Sequence, residues 1–451
     1  MSSPIRSGRF AYGPLDIDES AGLLRCFYRL DSLDLVETID VGPGHTWTAA
    51  AYEAARIVAL LAGVSYFKAG APPLIDLGDT VLRPGEMEFL RQFYIEGLGE
   101  FAYRNGLDLS DLRFMGGVPV AGGPPPATGG IRGSLKRLLV PFGGGIDSIV
   151  TVESLRDFGE DMALFVVNRR GVPPFEAIER AAAVTGLPVR RAQRDIDPWI
   201  LSPPEGRSVF NGHVPVTGIV SAIAVLCAVL DGRGRVVMSN EWSASKPNLV
   251  SGGLAVNHQY SKSAAFESAF RSVLEGALGA DVDYFSLLRA SSELWVARRF
   301  SQMQRYHSVV HSCNRAFHLD PALRLDTWCG RCDKCCFIDL ILSPFMTRDA
   351  LVGIFGGSEP LEQNDLTERF EALIGTGESL KPFECVGDIE ECRVAVELAA
   401  SRPDRAGNEV LATLRAQLET AGGALPADAA AFFHPIGTHN IPDDLAATAL
   451  V

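Results

Sequence analysis

RLLVPFGGGIDS, residues 137–148, opens as an apolar strand at 137–142 and breaks into three glycines before a helical pattern takes over at 149–158. Outward from it the same alternation repeats, with strands expected at 163–168, 189–192 and 235–239 and helices at 175–185 and 214–230. Strands separated by helices need crossover connections, which predicts an α/β fold with a parallel, doubly wound sheet covered on both faces. Such a sheet binds ligands beyond the carboxyl ends of its strands, where residues 143–148 lie. Gly143, Gly144 and Gly145 let backbone N–H groups approach an anion, and the helix that follows points its positive end at the same spot. Ser148 adds a hydroxyl donor, and Asp147 is placed to hold a magnesium ion bridging phosphates. Three glycines alone fit a plain turn; the Asp-Ser pair behind Ile146 turns the reading toward a phosphate site.

The chain has 451 residues, of which 47% are hydrophobic and 21% charged, so it holds enough apolar material for more than one globular core. Its net charge of −14 argues against a nucleic-acid partner, because such binding needs phosphates neutralised by Lys and Arg. The N-terminus, MSSPIRSGRFAYGPLD, carries no signal-peptide core, and a cytoplasmic location is expected. The longest apolar run, 214–230, is short for a membrane span and contains Pro215, Thr217 and Ser221, so a buried helix and no membrane partner are expected.

Ahead of the central stretch, alternating segments at 23–30 and 35–41 read as strands of a small sheet, and 47–62 and 86–105 as two long helices. Residues 115–133 hold seven glycines and four prolines and read as a linker. From about Leu351 the pattern is mostly helical. Three units are expected: an α+β domain at 1–133, a catalytic α/β domain at 134–345 and a helical region at 346–451. The sequence carries no sign of oligomeric state.

Nine cysteines in a reducing compartment argue against a disulfide framework. Cys329, Cys332 and Cys335, with Cys313 upstream, have the spacing of a closed tetrahedral zinc site of structural type, and His311 and Cys336 stand in reserve. Between the last expected strand and these cysteines, residues 239–263 (SNEWSASKPNLVSGGLAVNHQYSKS) concentrate Asn, Glu, His, Tyr, Lys and Ser in the manner of a pocket beyond a strand end.

FGGGIDS resembles the SGGxDS signature of the PP-loop ATP pyrophosphatases, of adenine nucleotide alpha hydrolase-like fold, with Gly143 where the first serine usually stands. That resemblance implies ATP and Mg2+ as cofactors, held by Gly143, Gly144, Gly145, Ile146, Asp147 and Ser148, with Asn168 and Arg169 beside the adenosine. The cysteine pattern is similar to that of the 7-cyano-7-deazaguanine synthases, which carry a structural zinc. Taken together, PFGGGIDS, NEWSAS, VNHQYSKS, CGRCDKCCF and KPFECVGDIEEC, behind AGVSYFKAGAPP and GLGEFAYRNGL, resemble the MurL family from about Arg9 to Cys392. The resemblance implies a UDP-muramoyl dipeptide as substrate, its terminal L-glutamate being inverted at the expense of ATP, with AMP and pyrophosphate released. The biological setting it implies is peptidoglycan synthesis, and so cell-wall biogenesis, cell shape and cell division.

The chemistry fits the loop. A glutamate α-hydrogen beside a carboxylate is a very weak acid, and adenylation turns that carboxylate into an electron sink, so no pyridoxal phosphate is needed. For the α-proton, His258 is the expected base on its ordinary pKa, with Lys262 beside it, Tyr260 as a donor on the opposite face and Glu241 as an orienting group. Cys385 and Cys392 form the competing pair, by analogy with cofactor-independent glutamate racemases. The rival activities are a PP-loop ligase or amidase-like enzyme that passes the adenylate to an amine or ammonia, then tRNA modification, then a non-catalytic binding protein.

Overall fold

The computed structural model describes residues 4–119, 134–158, 161–279, 282–318, 320–377, 379–420 and 429–449. In chain order its strands are β1 (Arg9–Asp18), β2 (Leu23–Leu30), β3 (Leu33–Asp40), β4 (Leu74–Asp76), β5 (Val81–Leu82), β6 (Arg113–Met115) and β7 (Val118–Pro119). They continue with β8 (Ser134–Pro141), β9 (Asp161–Arg169), β10 (Val189–Asp195), β11 (Arg233–Met238), β12 (Leu249–Ser251), β13 (Leu254–Val256) and β14 (Asp283–Ser286). Ten of them make one sheet in the order β14-β11-β8-β9-β10-β3-β2-β1-β4-β6.

From β14 to β10 all pairings are parallel, as the strand–helix alternation requires. The chain steps outward from β8 through β9 to β10, then returns to the other side of β8 to add β11 and β14. The carboxyl end of β8 is therefore the switch point of the sheet, where neighbouring connections diverge and leave a crevice.

Side chains on these strands alternate between two cores. Leu139, Ala163, Phe165, Val236 and Tyr284 face one core, packed with Ala49–Ala62, Val216–Leu230 and Ala264–Leu278. Leu138, Val140, Leu164, Val237 and Phe285 face the other, packed with Ile146–Ser154, Glu293–Ser301 and Asp333–Leu342. Both faces are covered, as expected of a doubly wound sheet.

The N-terminal strands do not form a sheet of their own. β3 pairs antiparallel with β10, so the N-terminal segments extend the parallel sheet directly. A buried ion pair pins this seam: Arg194 donates to Glu37 through Nε at 2.6 Å and Nη2 at 3.0 Å, and Nη2 also reaches the Ser65 hydroxyl at 2.8 Å. Pairing between strands so far apart leaves no mark in local periodicity.

The helix expected at 86–105 is two, Glu86–Ile95 and Gly99–Asn105. Gly97 lies between them against Pro215, where a Cβ would come within 2.9 Å of the proline ring, so the chain turns at the point of closest approach. The apolar run 214–230 is the buried helix Val216–Leu230, entered through Pro215. Ala49–Phe67 is long and apolar enough to cross a membrane, but 78% of its apolar window is buried inside the fold. β14 was not legible as a strand, being four residues long with its last three all buried and no alternation. Beyond residue 346 the described residues are mostly helical, with irregular stretches such as 379–388 between helices. Of the expected linker, residues 120–133 lie outside the described residues.

Candidate active site

A cavity of about 600 Å³ opens at the carboxyl ends of β8 and β11. Its floor is the glycine loop. Gly144 adopts φ +75°, and a Cβ there would stand 2.9 Å from the Ala177 carbonyl oxygen, so only glycine lets the turn seat on the neighbouring helix. Gly145 is the N-cap of Ile146–Ser154, and the Ser148 hydroxyl donates to the Gly145 carbonyl at 3.0 Å. Gly143, Gly145, Asp147 and Ser148 line the cavity; Ile146 is buried in the core beneath. The Asp147 Oδ1 is shut off from solvent without a hydrogen-bond partner, the state of an oxygen placed to meet a cation. Burial and then the charge of Glu241 push the Asp147 carboxyl up to about 7.

Asn168 is 9% exposed near the end of β9, its Oδ1 also unpartnered, but it does not line the cavity, whereas Val166 and Val167 do.

The opposite wall comes from the polar stretch. His258, Lys262 and Glu241 line the cavity; Tyr260 does not. Tyr260 is buried in the core edge-on to Phe266, in a single tight turn, Tyr260–Lys262, that points its side chain away from that of Lys262. Ser263 then caps Ala264–Leu278, accepting from the Phe266 N–H at 3.1 Å. Arg289, 1% exposed, holds both limbs of this wall, donating to the carbonyls of Glu241 at 2.9 Å and Lys262 at 2.7 Å. Glu267 balances its charge at 2.9 Å.

Cys385 enters from the C-terminal region. Its segment is held by Asn248, which donates to the Pro382 carbonyl at 2.7 Å, and by the Lys334 ammonium, which donates to the Cys385 carbonyl. The Lys262 ammonium donates to the Cys385 sulfur at 3.1 Å. Burial opposes the Cys385 thiolate, but Lys262 and then a hydrogen bond from His258 outweigh it and bring the thiol down to about 6. The thiolate is thus the form present at neutral pH.

His258 is affected in the other direction. Burial disfavours its charged form, yet its hydrogen bonds with Cys385 and Glu100 prevail and raise it to about 9. The expectation of an unassisted imidazole base does not hold, since this ring is already protonated at neutral pH. Cys392 lies inside the helix Ile389–Ala400, fully buried and outside the cavity, so the structure does not bring the two cysteines across a common space.

Sequence reasoning missed Lys334, Glu293 and Glu100. Lys334 sits between Cys332 and Cys335 and lines the cavity at 9% exposure. Glu293 heads the helix Glu293–Ser301 with its Oε2 buried and unpartnered in the same cavity. The buried helical setting of Glu100 gave no local signal.

Cys313, Cys329, Cys332 and Cys335 converge, with all four sulfurs within 4.8 Å of one another. The Cys313–Cys332, Cys329–Cys335 and Cys332–Cys335 sulfurs are 4.0, 3.6 and 3.4 Å apart. Four thiolates around zinc at about 2.3 Å stand about 3.8 Å apart, so the set fits a closed tetrahedral ion. His311 packs on Trp328 at 5.2 Å, and neither it nor Cys336 belongs to the group.

The family model of the MurL N-terminal domain matches residues 1–287, and that of the MurL C-terminal domain matches residues 309–428. This chain belongs to the MurL family. A UDP-N-acetyl-alpha-D-muramoyl-L-alanyl-L-glutamate epimerase of Xanthomonas oryzae pv. oryzae is 39% identical over 396 residues, covering 86% of this chain and 85% of the relative. Proteins of the same name from Salinispora tropica and a Micromonospora species are 43% and 42% identical, covering 76% and 86% of this chain and 72% and 83% of their own lengths. Both MurL models thus contribute to the cavity, Lys262 lying under the first and Cys385 under the second.

Proposed function

We propose that this chain epimerises the terminal L-glutamate of UDP-N-acetylmuramoyl-L-alanyl-L-glutamate to D-glutamate at the expense of ATP, as a PP-loop enzyme of cytoplasmic peptidoglycan synthesis. One observation carries the reading: a glycine loop suited to phosphates and a lysine-paired thiolate open into a single cavity.

In the first step a carboxylate oxygen of the glutamate attacks the α-phosphorus of ATP, pyrophosphate leaves, and a mixed anhydride with AMP results. The N–H groups of residues 143–148 meet the phosphate charge, and the Ser148 hydroxyl would turn from the Gly145 carbonyl to join them. Asp147 and Glu241 are the residues that would hold Mg2+, which supplies charge neutralisation to the departing pyrophosphate. Lys334 offsets the remaining carboxylates.

With the carboxylate masked, the α-proton is acidic enough for the Cys385 thiolate to take it, and its bonding pair delocalises into the carbonyl. Lys262 and His258, both cationic, sit where they stabilise the thiolate before transfer. A solvent-derived proton delivered from the opposite face inverts the centre, Cys385 returns the proton it took to solvent, and water cleaves the anhydride to release AMP and the D-epimer. Zinc at Cys313, Cys329, Cys332 and Cys335 would fix the knuckle that delivers Lys334.

The test is incubation with the UDP-muramoyl dipeptide and ATP, followed by chiral analysis of the glutamate and assay of AMP and pyrophosphate. D-Glutamate with stoichiometric AMP is expected. Glutamate that stays L while an amine or ammonia is consumed would replace the epimerase with a ligase.

A further inference from the structure

Glu100, on the N-terminal segments, is a carboxylate bonded to a residue of this site. It lies 158 residues from His258 in sequence, yet the two are hydrogen bonded, the ring Nδ1 donating to the Glu100 Oε2. Glu100 is 5% exposed, and its other oxygen forms an ion pair with Arg104, Nε standing 2.6 Å away, so both oxygens face a cationic partner. The break at Gly97 starts the short helix that carries it. His213 packs against the His258 ring, centroids 4.2 Å apart. The His258 backbone is fixed as well, its N–H donating to Asn248 Oδ1 at 2.9 Å. The ring is thus tied to a carboxylate, and it lines the same cavity as Cys385.

We propose that Glu100 is a positioning residue for Cys385, acting through His258: it holds the imidazolium with one N–H on its own carboxylate and the other side toward the sulfur. This rests on the epimerase reading given above. The device resembles in logic a catalytic triad, where a buried carboxylate orients a histidine against a nucleophile, except that here the histidine holds a proton throughout. Other charged groups face the same assembly. Lys262 and Lys334 lie beside Cys385, Glu384 and His213 beside His258, Lys68 near His213, and Asp147 and Glu241 across the cavity. Among these groups Glu100 is the one carboxylate hydrogen bonded to the ring. Its removal cannot be made good by the lysines, which bear on the sulfur but not on the orientation of the imidazole.

The test compares wild type, Glu100→Gln and Glu100→Asp, each supplied with ATP and the UDP-muramoyl dipeptide in deuterated water. Three quantities are read: pyrophosphate release, deuterium entry at the glutamate α-carbon, and the rate at which iodoacetamide labels Cys385, followed by peptide mass spectrometry. Glu100→Gln is expected to release pyrophosphate at the wild-type rate while exchange falls roughly 10-fold to 100-fold, as when a group orienting a reactive side chain is lost. Cys385 labelling near neutral pH should slow in parallel, and Glu100→Asp should recover part of both. Wild-type exchange and labelling in Glu100→Gln would overturn the proposal. So would pyrophosphate release and exchange falling by the same factor, which marks a merely structural residue. Glu100, His213 and His258 also lie close enough to share a metal ion; a zinc that wild type holds beyond the four-cysteine site and Glu100→Gln lacks would replace the relay with a metal site. If wild type itself shows no exchange, the epimerase reading fails, while the labelling rates still judge the link from Glu100 to Cys385.

Discussion

Replacing Lys262 by methionine removes the ammonium that donates to the Cys385 sulfur at 3.1 Å and leaves an apolar chain in its place. Burial works against the thiolate, and Lys262 is the largest of the influences that overcome it and hold the thiol at about 6 against an ordinary 9.0. The difference amounts to about 4 kcal/mol in favour of the thiolate. Near pH 7, a thiol titrating at about 6 is roughly nine-tenths thiolate, and one titrating at about 9 is roughly one-hundredth. His258 and Lys334 keep part of the effect, so Lys262→Met is expected to lower the reactive fraction about 10-fold to 100-fold at neutral pH. The assay is the pH dependence of iodoacetamide labelling at Cys385, read by peptide mass spectrometry, beside α-proton exchange in the presence of ATP. The labelling midpoint should move well above 6 in Lys262→Met and remain near it in Lys262→Arg, which keeps the charge. A midpoint unchanged in Lys262→Met would refute the reasoning, because the ion pair would then have no part in poising the thiol.

Under the proposed ATP-dependent reaction, Asp147→Asn and Ser148→Ala should each reduce pyrophosphate release by about 100-fold or more without loss of fold, since both would act on developing phosphate charge; circular dichroism with a pyrophosphate assay checks this. The exchange rate should be bell-shaped in pH. It falls below about 6 as the Cys385 thiolate takes up a proton, with Asp147, pushed up to about 7, adding to the acid limb, and again above about 9 as His258 loses one. Elemental analysis should find about one zinc per chain, and its removal by a chelator should depress exchange by freeing Lys334 from the knuckle between Cys332 and Cys335. Arg194→Ala strands the Glu37 carboxylate, which is 0% exposed, and should destabilise the protein by about 3–5 kcal/mol in urea denaturation. Arg194→Met combined with Glu37→Leu should cost markedly less, because it leaves no unpaired charge at the seam.

What the sequence determined by itself is local. The apolar run ahead of three glycines, the Asp-Ser behind them and the strand–helix alternation are read within a few residues of one another, and the structure has the parallel sheet with the loop at its switch point. The cysteine intervals of the knuckle are equally local, and the sulfurs converge. What the tertiary structure decided depends on contacts between remote segments. No periodicity in residues 23–41 announces that β3 will join β10, because strand pairing is set by which edges are left open once the sheet is built. Tyr260 and Lys262 look equally available in VNHQYSKS, yet a tight turn turns the tyrosine inward to Phe266 and leaves the lysine in the cavity. The charge states follow the same rule. His258 has an ordinary imidazole pKa in the sequence and a raised one in the fold, because Glu100, 158 residues before it, and Cys385 meet at its ring. Cys385 becomes a thiolate because Lys262, 123 residues away, is brought to its sulfur. Electrostatic interaction falls steeply with distance and with solvent, so it is created by burial and proximity, which only the folded chain provides.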